Sequence, residues 1–183
     1  MTKADIISQL VVRHQDFISY IDSLSQEEFE YAHEGVKWAP GQDLVHINAS
    51  VKPLATMVFS VPKLMLGYKF GKANRPSNDY EDLVARYQES VGPGGVKAKG
   101  IYDPAPLGFQ EKNSQLRTLE VRINSLSRKV KRSSENSLDK YIVPHPALGK
   151  ITLRELLYFT IYHVQHHKAN VQRNLAARVV AKS

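Results

Sequence analysis

Three histidines carry the chemistry this sequence can perform. His163 and His167 lie one helical turn apart in the run Tyr162-His163-Val164-Gln165-His166-His167, and His46 lies far upstream in another helical stretch. Side chains four residues apart on a helix point to the same side. Two neutral imidazoles on one face, joined by a third from elsewhere and by water, make the open kind of divalent-metal site that catalysis uses. Imidazole suits zinc, nickel, iron or copper, and the residue types do not choose among them. Each ligand imidazole needs an acceptor for its other ring nitrogen. Asp43, Asn48, Thr160 and Asn170 are the nearby candidates.

Spacing alone leaves a second reading open. Histidines in a packed seam often hydrogen-bond to carbonyls and bind nothing, and His163 also shares a face with His166. His14 falls on an apolar stripe and reads as a satisfied core histidine. His33 and His145 read as loop residues, with His145-Pro146 at the mouth of a site.

Long amphipathic helices must position these groups. The first is expected from Ala4 to Leu24, with Ile7, Leu10, His14, Phe17, Ile21 and Leu24 inward. Ser25-Gln26-Glu27-Glu28 has the capping-box pattern of a short extra helix. A second long helix opens near Pro40 and carries Leu44, Ile47, Val51, Leu54 and Val58, with His46 at the stripe's edge. Pro53 should kink it, and Pro62 should end it or precede a short continuation. The stretch from Gly67 to Pro106 is irregular, apart from a helix over Tyr80 to Glu89 that Gly92-Pro93-Gly94-Gly95 stops. A connection this long suits a lid over a site. The third long helix is expected over Gln110 to Ser133. The fourth begins at the capping box Thr152-Leu153-Arg154-Glu155 and runs to about Ala176. Its seam Leu156, Thr160, His163, His167, Asn170, Asn174 turns polar from Thr160 onward, and a polar seam needs partners. Four long helices with almost no strand pattern predict an all-α helix bundle.

Composition narrows the function. The 183 residues allow one domain with a substantial core, and 42% hydrophobic with 23% charged residues is ordinary for a globular chain. The absence of cysteine excludes disulfides, thiolate metal sites and a cysteine nucleophile. No apolar run is long enough to span a membrane, and the N-terminus lacks a signal-peptide design, so a cytoplasmic protein without a membrane partner is expected. The net charge of +7 could attract an anion. No nucleic-acid reader motif accompanies it, and the Arg128-Lys129-Val130-Lys131-Arg132 cluster suits a helix C-terminus, so nucleic acid is not the expected partner.

Two segments resemble one family. Trp38-Ala39-Pro40-Gly41-Gln42-Asp43-Leu44-Val45-His46-Ile47 resembles the opening of the second helix in DinB/YfiT-like proteins. His145-Pro146-Ala147-Leu148-Gly149-Lys150-Ile151-Thr152, followed by His163-x-x-His166-His167, resembles their last helix and its approach. The helix order and long middle connection also agree across most of the chain. The resemblance implies a four-helix bundle with up-down-down-up topology, the long connection lying between helices 2 and 3, and often a homodimer. It implies His46, His163 and His167 as ligands of a divalent metal, commonly nickel or zinc, with His166 outside the ligand set. Two departures stand out. Ala39 replaces a common capping serine, and Asn170 replaces a common glutamine.

Some relatives in that family use low-molecular-weight thiols, so the resemblance implies a thiol-dependent S-transferase acting on a small molecule. The thiol must come from a cofactor, since the chain has none. Lys97, Lys99 and Tyr102 in the middle loop are the candidate substrate contacts. No carboxylate stands out as a general base, so a metal-dependent hydrolase has less support than thiol transfer. A non-enzymatic basic bundle and a purely structural metal site are the remaining alternatives.

Overall fold

The computed structural model describes residues 1–32, 38–92 and 100–181, and within them the chain is predominantly helical. His33, Lys97 and Lys99, to which the sequence assigned loop roles, lie outside the described residues.

Helix α1 spans Lys3–Asp22 and opens on a capping box in which Thr2 and Asp5 exchange hydrogen bonds. Its buried stripe is Ile6, Leu10, His14, Phe17 and Ile21. Ile6, rather than the expected Ile7, begins it; Ile7 is only partly covered. Ser25 caps the single-turn helix α2, Gln26–Phe29, as its pattern predicts.

Helix α3 runs Pro40–Pro53. Ala39 offers no side-chain cap, and Gln42 Oε1 accepts the Ala39 N–H at 3.1 Å instead, which supplies half a capping box. Pro53 has no N–H for the helical ladder. The chain answers with a π-helical turn over Leu54–Val58, where Phe59 N–H reaches back to Leu54 O. Pro62 then opens α4, Lys63–Phe70, bent 111° from the preceding helix. The irregular stretch beyond contains α5, Tyr80–Val91, which ends at Gly92 with φ +60°. That left-handed backbone suits glycine.

A 3-10 turn at Phe109–Glu111 leads into α6, Lys112–Arg132. Lys112 is buried and its ammonium donates to Asp22 O at 2.8 Å and Leu24 O at 3.1 Å, satisfying carbonyls at the end of α1. At the other end Lys3 Nζ donates to Ser133 O at 2.9 Å. Helix α7, Glu135–Lys140, and a hairpin of β1, Ile142–His145, with β2, Gly149–Thr152, follow. The hairpin stands where the sequence shows almost no strand pattern. Pro144 and a four-residue length left no clear strand pattern.

Helix α8 runs Leu153–Ala181, longer than expected. Thr152 and Glu155 form the expected reciprocal cap. The four long helices make a closed cycle of contacts: α1 packs on α6 and α8, and α3 packs on the same two. Leu44, Ile47, Leu119, Leu126, Leu157 and Val164 fill the interior between them.

His14 is core, as expected, but only half satisfied. Its Nδ1 donates to Leu10 O at 2.8 Å, while Nε2 is buried with no hydrogen-bond partner among the described residues. Burial pushes its pKa down to about 4. A depressed imidazole supports the fold fully above the unfolded value near 6.5, and this support fades as pH falls toward the folded value. The expected acid-side loss from this residue is at most about 3 kcal/mol. Urea denaturation from pH 7 to pH 4 should therefore show a shallower stability loss in His14→Leu; an unchanged slope would contradict this role.

Candidate metal centre

Helix α3 contributes Asp43 and His46 on one face, and α8 contributes His163 and His167 one turn apart. The structure brings all three expected ligands together. His46 Nε2 lies 3.2 Å from His163 Nε2, which lies 3.1 Å from His167 Nε2. The three residues are only 8%, 6% and 6% exposed. His46 is thus interior, not at the edge of the stripe. Helix α3 is held between α6 and α8, so its buried face is broad enough to include Asp43, His46 and Asn48 with the apolar stripe.

The other ring nitrogens set the tautomers. His46 Nδ1 donates to the backbone carbonyl of Tyr102 at 2.7 Å. His167 Nδ1 lies 2.5 Å from Asp43 Oδ1. With Nδ1–H donated outward, the Nε2 lone pairs of His46 and His167 both face His163. One proton on His163 can serve only one of them well; a cation at the centre serves all three. Ligands about 2.0–2.1 Å from an ion stand roughly 3–3.4 Å apart; the two nitrogen pairs through His163 fall on that spacing, and all three ligand atoms lie within 4.8 Å of one another. The three residues therefore fit a metal ion, and they form the described residues' candidate group for one.

Electrostatics agree. Burial pushes His46 down to about 4, with repulsion from His167 adding to it. His163 is held well below its usual value by burial and by its histidine neighbours, and burial takes His167 to about 4. All three stay neutral near pH 7, which is the ligating form. Burial pushes Asp43 up to about 8, while His46 and His166 oppose the rise. A metal charge on the far side of His167 also opposes it and favours Nδ1–H donation to a carboxylate. Asp43→Asn should weaken metal binding by roughly 10–100-fold, measured by competition with a chelating dye. Unchanged affinity would show that Asp43 does not orient His167.

Aromatic rings wall the triad. Phe159, one turn before His163, stacks on it at 4.7 Å between centroids, and Trp38 lies parallel to His167 at 6.0 Å. His145, expected as a loop residue at the mouth, ends β1 and packs edge-on against Phe159 at 4.2 Å. Its Nδ1 accepts the N–H groups of Ala147 and Leu148. His166 points aside toward Tyr162 and Tyr87.

Other expectations change role. Asn48 bonds Gln115 and Arg122 on α6, and Thr160 bonds Leu156 O, so neither supports the triad. Asn170 pairs with Arg173. Tyr102, expected as a substrate contact, reaches the site through its carbonyl. Tyr87 also joins the wall: it packs on Phe159 at 5.1 Å and lies edge-on to His163. Phe159 had a signal in its spacing from His163, whereas Tyr87 had none.

A family model described as the DinB superfamily matches residues 9–171. No curated protein and no solved structure matches the chain.

Proposed function

The chain belongs to the DinB superfamily, and from that premise we propose that it is a divalent-metal-dependent enzyme transferring a low-molecular-weight thiol to a small molecule. The observation that carries the metal reading is the convergence of three Nε2 atoms from His46, His163 and His167. Nickel or zinc suits this all-imidazole set. When bound, the ion would supply Lewis acidity and lower the pKa of a coordinated thiol or water. Tyr102 O and Asp43 hold two ligand rings in the productive tautomer, and Trp38 and Phe159 keep bulk water from the ring faces. The thiol comes from outside, because the chain has no cysteine.

The same reading includes an up-down-down-up four-helix bundle. Supporting it, Met1 lies near Arg154 and Tyr158 while Asp16 pairs with Lys168, so α1 and α8 run together. The Lys3 and Lys112 contacts set α6 against α1, and Asn48 with Gln115 and Ala55 with Lys129 set α3 alongside α6.

Hydrolysis is the second reading. It has weaker support, because Asp43, the carboxylate bonded to the triad, is already engaged by His167. Incubating metal-loaded protein with a panel of small thiols and an electrophilic acceptor discriminates the two. Thiol consumption that requires both metal and thiol is expected. Metal-dependent turnover without thiol would favour hydrolysis. No turnover, with salt-sensitive binding of polyanions instead, would favour a basic binding bundle.

A further inference from the structure

The stretch 44–78 contains no aspartate or glutamate, yet it carries Lys52, Lys63, Lys69, Lys72 and Arg75. Within it, α4 turns one face to the core through Leu66, which is 5% exposed. The opposite face shows Leu64 at 75%, Met65 at 60% and Tyr68 at 96% exposure, and Met57 just before the bend is 57% exposed. These residues are four of the chain's exposed large hydrophobics among the described residues, gathered within twelve positions. Scattered single apolar residues on a surface are ordinary, whereas a cluster marks an interaction site.

The charge around the cluster selects the occupant. Lys69 and Lys72 are exposed beside it, Lys69 with its ammonium 5.3 Å over the Phe70 ring; Lys63 donates to Val58 O and lies over the Phe59 ring, and Arg75 is paired with Glu155. In a symmetric contact with a second copy the same patch meets itself, which brings these lysines toward their own counterparts. A nucleic acid would satisfy the lysines and leave Leu64 and Met65 in water. An anionic lipid surface satisfies both, since apolar side chains enter the headgroup boundary while lysines meet lipid charge. An exposed tyrosine suits the same boundary, with an apolar ring and a polar tip. Helix α4 follows a 111° bend and carries Leu64, Met65 and Tyr68 exposed. No single helix among the described residues is long and apolar enough to cross a membrane; the bent pair Pro40–Val58 with Lys63–Phe70 is apolar enough together, but α3 is packed between α6 and α8, so surface contact through α4 is the mode that leaves the bundle intact.

Against the sequence expectation of no membrane partner, we propose that α4 docks this protein on anionic membrane surfaces through Leu64, Met65 and Tyr68, with Lys69 and Lys72 supplying the electrostatic attraction. The bend that leads into α4 lies twelve residues beyond His46, a rise of roughly 18 Å along α3 and its π-turn, so the docking face is set off from the triad.

Co-sedimentation of the full chain with vesicles tests this. Partition is expected onto phosphatidylcholine vesicles containing phosphatidylserine, weakly onto phosphatidylcholine alone, and less as salt rises. A Leu64→Ser, Met65→Ser, Tyr68→Ser variant should bind at least about tenfold more weakly, and Lys69→Glu with Lys72→Glu should lose a similar factor. All five positions are exposed, and circular dichroism with metal content should match the unsubstituted chain. The proposal is overturned by no partition, by equal partition onto neutral vesicles, or by partition that either variant leaves unchanged. Concentration-dependent self-association that the serine variant abolishes would assign the face to a second copy and overturn it as well.

Discussion

His163→Ala is expected to abolish the thermal stabilisation that divalent metal gives this protein. His163 Nε2 is the atom common to both short contacts, 3.2 Å from His46 and 3.1 Å from His167. Its loss leaves two imidazoles, one from each helix, and a cavity beside Phe159. Metal at about a hundredfold excess over its dissociation constant adds about 2.7 kcal/mol to the stability of a protein that binds it only when folded. For a chain of this size that is a rise of roughly 5–11 °C in Tm. Scanning calorimetry with and without nickel or zinc should show that rise in the unsubstituted protein and almost none in His163→Ala. His166→Ala is the control, since His166 turns toward Tyr87 and Tyr162, and it should keep the shift. A full shift in His163→Ala, or loss of the shift in His166→Ala, would mean that the ligand set is different.

The second large effect lies at the start of α8. Glu155 is fully buried and accepts four hydrogen bonds: from Arg75 Nη1 at 2.7 Å and Nη2 at 3.1 Å, from Asn78 N at 2.8 Å and from Thr152 N at 2.8 Å. One carboxylate thus pins the middle connection, the N-terminus of α8 and the hairpin's last residue. Burial works to raise its pKa, and the bonds from Arg75, Thr152 and Asn78 outweigh that, so it is held below the usual carboxylate value. Such a group contributes stability above its unfolded value, and the contribution disappears as pH falls through the folded value. Glu155→Ala strands two backbone N–H groups and unpairs a guanidinium. Removing one partner of a buried ion pair costs about 3–5 kcal/mol, and the partial exposure of Arg75 places the expected loss near the lower end. Urea denaturation at pH 7 should show a loss of about 3 kcal/mol, with Glu155→Gln intermediate. A loss below about 1 kcal/mol would show that the network is not what fixes this end of α8.

Much of this was legible in the sequence because helical periodicity carries it. The spacing of His163 and His167 placed both inward, and the Thr152–Glu155 pattern marked where α8 begins. The depth of His46 was less legible. Its position beside Ile47 reads as an edge on a helix with one neighbour, and it becomes interior because α3 is packed on two sides. The partner of His46 was not legible at all, since a backbone carbonyl such as that of Tyr102 has no residue-type signature. The hairpin was hidden for another reason: Pro144 and four-residue strands give too short an alternation to register. His14 shows the limit of a stripe argument, which predicts burial and says nothing about whether the second ring nitrogen finds a partner.

The central claim is that His46, His163 and His167 hold one divalent ion through their Nε2 atoms. Metal quantification and X-ray absorption on protein purified without a histidine tag address it together. One ion per chain with three imidazole nitrogens at about 2.0–2.1 Å is expected. Retention of the same metal content by a His46→Ala, His163→Ala double variant would contradict it.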